Sequence, residues 1–558
     1  MDLDDDSAYF DLGGYAWPHD VAAPLLARRW FDRGMVWTFG FNHDEAVHCF
    51  ERALHADPDF GLARWAIAYA VGPNYNRNWT SYDDAGRAEA LTRARTELAA
   101  AVSDDPVTRQ LIAALRLRYP TGDANDIDTL ETGHAAYADA MSHLAQAHPD
   151  HVEVQMLAAD ALMNLTVWAL WDVETGEPAR GSRVLEARRL LEAAMATPAG
   201  RRHPGVLHLY LHAMEMSGEP EAALPAADLL RQLVPDCGHL LHMPSHIDVL
   251  CGDYYSAVRA NEAAVRADRR FVAARGRDNA YSRYRAHNLH FVVYAAMFLG
   301  QFQTAIDAAD ELAAELTPEL LDAPGLPMAD WLEAFVPLRV HVLIRFGRWA
   351  ELVAEPLPAD PDLYCVTAAT VLYGRGVALA ATGHVDTARS TREEFRAAVK
   401  RIPSSRALFK VACHHTMAIA DAMLDGEIAY RAADYEQAFD HLRRAVDLDD
   451  SLPYDEPWGW MQPTRHALGA LLLEQGRVDE ACDVYAADLG VNGTLGRSHQ
   501  HPGNVWSLHG YLECLERQGR SAEAALVAKQ LEFASARADV TVRASCACRT
   551  GADRSCCD

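Results

Sequence analysis

The stretch ARRWFDRGMVWTFGFNHDEAVHCFERALHADPDF, residues Ala27–Phe60, decides the fold of this chain. Within this 34-residue unit, small and apolar residues recur at positions 4, 8, 11, 20, 24, 27 and 32, which are Trp30, Gly34, Trp37, Ala46, Phe50, Ala53 and Pro58. Many of the spacings are three or four residues, the period of a helix, and no part of the chain alternates as a strand does. The pattern predicts an all-α fold.

The same seven positions resemble the tetratricopeptide repeat (TPR), a pair of antiparallel helices whose small residues allow close packing. When Ala46 is taken as the packing alanine of the second helix, further repeats can be phased on Ala223, Ala257, Ala305, Ala350, Ala388, Ala438, Ala481 and Ala524. Such hairpins stack into a superhelix, and the first helix of each repeat lines a concave groove. The resemblance implies a TPR-like helical-hairpin solenoid.

The regularity of the repeats divides the chain into five predicted segments. N-terminal repeats occupy residues 1–120, an irregular helical segment follows at 121–203, and histidine-rich repeats occupy 204–320. Further repeats occupy residues 321–533. The helical pattern then fades, and we expect a cysteine-containing tail at 534–558.

The composition excludes several classes of function. The 558 residues carry a formal net charge of −28, which argues against nucleic acid or an anionic membrane as a partner. The acidic start at Met1–Phe10 does not resemble a signal peptide, and no apolar run approaches the ~18 residues of a membrane span. Eleven cysteines in so long a chain do not indicate a disulfide framework. We expect a cytoplasmic protein.

Four of the cysteines cluster near the end of the chain, at Cys546, Cys548, Cys556 and Cys557. Their tight spacing is compatible with a soft cation such as Cu(I) or Zn, held as a secondary site. It is equally compatible with a flexible, reduced tail.

Histidines at helical spacing provide the strongest functional signal. The chain has 25 histidines, and spacings of three or four residues keep a subset on one helical face. This subset, with one glutamate, is His208, His212, Glu215, His239, His242, His246, His287 and His290. In the repeat phase these residues occupy positions that face the groove of TPR arrays. The sequence therefore predicts that they converge on one patch and bind a transition metal.

Helix geometry divides these candidate ligands into two layers. Residues seven apart are separated by about 10 Å along a helix, so one ion cannot bind both His239 and His246. The upper layer is expected to contain His208, His239, His242, His287 and His290. The lower layer is expected to contain His212, His246 and Glu215, with Tyr294 close by. Two layers suit a dinuclear centre, and ligands that face an open groove favour catalysis over a closed structural site.

Several longer motifs resemble a bacterial family of large TPR proteins. The shared motifs include Phe41-Asn42-His43-Asp44-Glu45-Ala46, Gly238-His239-Leu240-x-His242-Met243-Pro244-Ser245-His246-Ile247 and His287-Asn288-x-His290-Phe291. The chain departs from the family at Asp160, where the family tends to have glutamate. The resemblance implies the fold and brings no settled activity.

Three classes of function remain: a metalloenzyme, a scaffold that binds a partner's peptide through the TPR surface, and a metal-storage or delivery protein. Glu215 is the only carboxylate in phase, which disfavours a carboxylate-bridged di-iron site and favours copper, histidine-rich iron or zinc. We expect an oxygen-dependent copper or iron oxidoreductase acting on a small molecule, with Tyr294 and Glu215 as catalytic residues. The alternatives are a zinc-dependent hydrolase and a non-catalytic scaffold.

Overall fold

The structure is a computed structural model that describes residues 9–18, 23–323 and 327–549. Helix is the dominant secondary structure of these residues, and their one sheet is the antiparallel hairpin of β1 (Ala407–Leu408) and β2 (Val411–Ala412). None of the described helices has the length and apolar character that crossing a membrane requires. The prediction of an all-α fold is confirmed.

The chain forms two compact units. The first unit comprises Met1–Ile247 and Arg266–Ala274, and the second comprises Asp248–Val265 and Arg275–Asp558. The division falls inside the predicted histidine-rich segment, residues 204–320. The five-segment division drawn from the repeats stays a prediction.

Consecutive helices pack against one another in the first unit. Its helices are α1 Leu25–Phe39, α2 His43–Ala56, α3 Gly61–Val71, α4 Asp84–Ala100, α5 Pro106–Leu117, α6 Ile127–Ala147, α7 Val152–Met163, α8 Val184–Met195, α9 Pro204–Glu215, α10 Leu224–Leu230 and α11 Gly238–His242. From α1 to α10, each helix contacts the next along the chain. This order is that of a helical-repeat array.

The second unit is built in the same way. Helices α12 (Pro244–Cys251) and α13 (Tyr254–Arg275) contain residues of both units. The helices that follow are α14 Ser282–Leu299, α15 Phe302–Glu315, α16 Pro318–Leu321, α17 Met328–Leu332, α18 Leu338–Arg345, α19 Trp349–Ala354, α20 Cys365–Ala381, α21 Val385–Val399, α22 Cys413–Arg431, α23 Tyr435–Asp450, α24 Thr464–Glu474, α25 Val478–Asp488, α26 Val505–Arg517 and α27 Ser521–Ser535. From α18 to α27, each helix again contacts the next.

Small residues set the packing of the hairpins, as the repeat pattern predicts. A Cβ atom on Gly34 would lie 2.3 Å from the Phe50 ring, so only glycine lets α1 approach α2 this closely. Seven of the predicted packing alanines are completely buried, namely Ala46, Ala223, Ala257, Ala305, Ala388, Ala438 and Ala481. Ala350 is exposed, and the prediction for it is wrong. The short helix α19 buries Leu352 instead.

The described part of the tail folds onto the second unit. Ser545 is buried, and its Oγ donates a hydrogen bond to His466 O over 2.9 Å. Cys548 is also buried and forms a disulfide with Cys546. This part of the chain is therefore packed against the helices and is not a free tail. The predicted site residues Cys556 and Cys557 lie outside the described residues.

Candidate metal centre

Helix α9 carries the first group of predicted ligands. It begins at Pro204, which has no N–H to satisfy, and His203 caps it by accepting a hydrogen bond from Val206 N. The spacing of four residues places His208 and His212 on one face of the helix. Both imidazoles are buried.

The second group lies on two short helices, α11 and α12. Helix α11 begins at Gly238 and ends at His242, because Pro244 has no N–H with which to continue the backbone hydrogen bonds. His239 and His242 therefore lie on α11, and His246 lies in the first turn of α12. All three imidazoles are buried.

The Glu215 carboxylate joins the two groups. Its Oε1 lies 2.8 Å from His212 Nδ1, and its Oε2 lies 2.8 Å from His246 Nδ1. An ionised carboxylate only accepts hydrogen bonds, so each Nδ1 carries the proton and donates it. Each Nε2 then carries a lone pair, which is what a metal ion binds.

The backbone holds His208 in the same tautomer. Its Nδ1 donates a hydrogen bond to Phe39 O over 2.5 Å. Its Nε2 is buried and has no hydrogen-bond partner among the described residues. A buried nitrogen with a free lone pair is costly unless a cation or a donor occupies the position next to it.

The imidazole nitrogens of the five histidines on α9, α11 and α12 lie close together in small groups. One ligand atom from each of His208, His212 and His239 lies within 4.8 Å of the other two. His242 Nε2 lies 2.6 Å from His246 Nε2. His212, Glu215 and His246, the predicted lower layer, form another group of this kind, whereas the predicted separation of His208 from His212 and of His242 from His246 is wrong. Residues four apart are only about 6 Å apart along a helix, and two imidazoles can close that gap.

Burial keeps the imidazoles of His208 and His239 uncharged. It lowers the pKa of His208 well below the ordinary range for histidine, and the neighbouring His212 lowers it further. Burial and then the neighbouring His208 lower the pKa of His239 in the same way. Neutral imidazoles with buried lone pairs form a set that suits a cation.

Three aromatic rings enclose the histidines. The Phe41 centroid lies 4.6 Å from that of His208 and 5.8 Å from that of His212. The Tyr75 and Trp168 centroids lie 4.9 Å and 5.7 Å from that of His212. Phe41 and Trp168 have φ angles of 56° and 57°, in the left-handed region that bulky residues rarely adopt. Backbone strain of this kind concentrates at functional sites.

The expectation of an open groove is wrong for these residues. His208 and His212 are 1% exposed, His242 and Glu215 are 0% exposed, and His246 is 2% exposed. The repeat phase assigns these positions to the groove but does not show which side chains fill it. Here the Phe41 ring packs on three of the imidazoles. The site is a closed centre.

The remaining predicted residues, His287, His290 and Tyr294, lie on α14 in the second unit. His290 Nε2 lies 2.9 Å from Met461 Sδ. The Tyr294 ring packs on Phe298 at 4.6 Å, and burial raises the pKa of its phenol well above the usual range. A part for these three residues in metal binding or catalysis stays a prediction.

A small cavity adjoins His208. It measures about 20 Å³, which is room for one water molecule, and His43, Tyr69 and Asp160 also line it. Tyr69 donates a hydrogen bond to Asp160 Oδ2 over 2.5 Å, and burial raises the pKa of that carboxyl group. The sequence marks His43 and Asp160 only through the family motifs. Helical spacing misses them because they come from α2 and α7.

A larger cavity of about 280 Å³ lies beside the small one in the first unit, and Pro73 and Asn74 line both. The larger cavity is lined by Pro73, Asn74, Asn78 and Trp79, by Glu131 and His134 of α6, and by residues 164–167. Of the five clustered histidines, His208 lines the small cavity and none lines the larger one.

No protein-family model and no curated protein matches the chain. Among solved structures, yeast Tom70 is 10% identical, with 91% of this chain and 92% of that chain covered and a TM-score of 0.30. The APC/C hetero-tetramer Cut9–Hcn1 gives 15% identity, coverages of 93% and 78%, and a TM-score of 0.30. Naa15/Naa10 bound to HypK-THB is 14% identical, with 91% of this chain and 70% of that chain covered and a TM-score of 0.23. Likeness at this level identifies no function.

Proposed function

We propose that the first unit binds a transition metal and that the protein is an oxygen-dependent copper or iron oxidoreductase acting on a small molecule. The ligands are five imidazoles, called here the imidazole centre: His208, His212, His239, His242 and His246. The observation that carries the proposal is the pair of 2.8 Å contacts from Glu215 to His212 Nδ1 and His246 Nδ1. A carboxylate that fixes imidazole tautomers in this way is the usual outer shell of a metal site.

The donor set narrows the choice of metal. Imidazole nitrogen suits copper, iron and zinc, whereas carboxylate-rich sites suit magnesium, calcium and manganese. Glu215 is engaged by two imidazoles, so it is not free to act as the general base that zinc-dependent hydrolysis needs. A redox metal at the centre would supply electron transfer between a substrate and dioxygen.

The chain's own residues provide the surroundings for that chemistry. Phe41, Tyr75 and Trp168 exclude water from the imidazoles. Asp160, which accepts hydrogen bonds from Tyr69 and Asn164, lies beside the small cavity that reaches His208. A small molecule in the adjoining cavity would lie beside this buried polar group.

The test is reconstitution of the metal-free protein with copper, iron or zinc, followed by oxygen consumption in the presence of phenols and small hydroxy acids. We expect oxygen uptake with copper or iron and none with zinc. His212→Ala should lower the rate at least ~100-fold, since the ligand's loss disrupts the metal site. The matched control is His143→Ala, because His143 is exposed in the same unit. Activity with zinc alone would overturn the oxidative proposal.

A non-catalytic scaffold is the second candidate. Helix α27 leaves Leu526 and Phe533 exposed at 70% and 74%, and exposed apolar residues of this kind suit a protein partner. In that case the wild-type protein would capture a partner protein from cell extract, and a Leu526→Glu/Phe533→Glu variant would not. Oxygen uptake by the copper or iron form would be absent from both proteins.

A further inference from the structure

The larger cavity of the first unit, called here the Trp79 cavity, has a lining rich in unsatisfied polar atoms. Trp79 Nε1, His134 Nε2, Asn164 Oδ1 and Thr166 Oγ1 are all buried and have no hydrogen-bond partner among the described residues. Leaving such an atom unpaired costs about 1–3 kcal/mol. Four of them around one cavity indicate that it is built to hold a polar molecule.

Most of the polar groups that face a ligand here are donors. Asn74 Oδ1 already accepts a hydrogen bond from Asn76 N over 2.9 Å. Asn78 Oδ1 accepts from Thr80 Oγ1 over 2.8 Å and from Ser81 Oγ over 2.7 Å. The NH₂ groups of these two amides therefore remain as donors, beside the indole N–H and the threonine hydroxyl. Among the four buried atoms, Asn164 Oδ1 is the one that can only accept a hydrogen bond.

A buried cation lies behind this lining. Arg118 is 0% exposed, and its Nη2 donates a hydrogen bond to the carbonyl of Pro73, which lines the cavity. Its Nε and Nη1 have no hydrogen-bond partner among the described residues. The Arg118 charge also acts on two other lining residues. It lowers the pKa of His134, which burial lowers more, and it lowers the pKa of Glu131 against the larger, raising effect of burial.

The charges of Arg118 and Glu131 limit the charge that a ligand of this cavity can carry. Donors and a buried guanidinium favour an anionic group. Glu131 is exposed at the rim, and its carboxylate would repel a dianion such as phosphate. The same guanidinium would repel an ammonium group, so the group that donates to Asn164 Oδ1 is a hydroxyl.

We propose that the Trp79 cavity binds a small monocarboxylate that carries a hydroxyl group. The carboxylate accepts hydrogen bonds from Trp79, Thr166 and the asparagine amides, and the hydroxyl donates to Asn164. That this hydroxy acid is the substrate rests on the proposed function, because Pro73 and Asn74 also line the small cavity at His208. The binding itself does not depend on a metal.

The experiment is calorimetric titration of the purified protein with three probes of the same ring size: salicylate, benzoate and phenol. Salicylate should bind, benzoate should bind about tenfold more weakly for want of one hydrogen bond, and phenol should bind at least ~100-fold more weakly. Equal binding of phenol and salicylate, or no binding of salicylate, would overturn the proposal.

Variants locate the binding. Thr166→Val keeps the side-chain volume and removes the hydroxyl, and Trp79→Phe keeps an aromatic ring and removes the N–H. Each variant should bind salicylate about tenfold more weakly than the wild-type protein. Thr92→Val is the matched control, because Thr92 is exposed on α4 and donates only to Ala88 O. Unchanged affinity in both cavity variants, with folding intact by circular dichroism, would contradict the assignment.

A metal-site variant separates the two proposals. His212→Ala/His246→Ala should lose the metal and still bind salicylate with unchanged affinity. Loss of salicylate binding in this variant would show that the carboxylate binds the metal and not the Trp79 cavity. A wild-type protein that binds salicylate but takes up no transition metal when copper, iron or zinc is supplied would leave the cavity proposal standing and overturn the metalloenzyme.

Discussion

Glu215 Oε2 lies 2.8 Å from His246 Nδ1, across 31 residues of sequence. This hydrogen bond connects the C-terminal end of α9 with the first turn of α12, and both side chains are buried. The carboxylate makes a second contact of 2.8 Å with His212 Nδ1. One glutamate thereby sets the orientation and the tautomer of two imidazoles.

Replacing this carboxylate should weaken metal binding without unfolding the protein. In Glu215→Gln, the amide oxygen still accepts one Nδ1–H, but the amide nitrogen cannot accept the other. Metal affinity should fall about 10–100-fold, as for other outer-shell partners of metal ligands. Competition with a fluorescent chelator measures the affinity. The control Glu89→Gln, at an exposed position on α4, should retain the wild-type value.

Removing the ring of Phe41 should expose the imidazole centre to water. Glycine adopts the φ of 56° without strain, so Phe41→Gly should fold. Loss of metal to excess chelator should become about tenfold faster, because the apolar shell controls solvent access. Phe41→Leu keeps an apolar side chain and should lose metal more slowly than the glycine variant. Equal rates for the two variants would contradict this role for the ring.

A glycine should stabilise the turn between α22 and α23. Ala433 has a φ of 61°, while Gly300, Gly476 and Gly519 occupy the equivalent turns with φ of 72°, 75° and 71°. Ala433→Gly should raise the free energy of unfolding by about 0.5–1 kcal/mol, since the left-handed conformation costs alanine more than glycine. Chemical denaturation measures the change. Ala432→Gly, where φ is −79°, should give no increase.

Buried neutral histidines should make the fold sensitive to acid. Burial lowers the pKa of His341 to about 4, whereas it is ~6.5 in an unfolded chain. Between these values the unfolded chain binds one more proton, so lowering the pH favours unfolding by up to about 1.4 kcal/mol per pH unit. Urea denaturation at several pH values should show a shallower slope for His341→Gln. An unchanged slope would mean that His341 takes up its proton in the folded state.

The repeat pattern predicted the packing of the hairpins well, because it depends on side-chain size within each repeat. Gly34 and Phe50 meet as their positions in the unit require. The pattern failed at Ala350, where a short helix changes which residue is buried.

The clustering of five of the predicted imidazoles followed from the sequence, and their burial did not. Helical spacing brought together the imidazoles of α9 and of α11–α12. It gave no signal for Phe41, whose conformation in the Gly40–Asn42 turn places its ring on three histidines and closes the site. It also indicated Glu215 as a ligand, which stays a prediction. Spacing gave no signal that the two carboxylate oxygens of Glu215 each lie 2.8 Å from the Nδ1 atom of a histidine.

The most direct test of the central claim is the metal content of the protein purified under non-chelating conditions, measured by inductively coupled plasma mass spectrometry. The wild-type protein should contain copper or iron at one or more ions per chain. A His242→Ala/His246→Ala variant should lose most of that metal and keep its helical circular dichroism. A wild-type protein without a transition metal, or a double variant with the full wild-type content, would contradict the assignment of the imidazole centre.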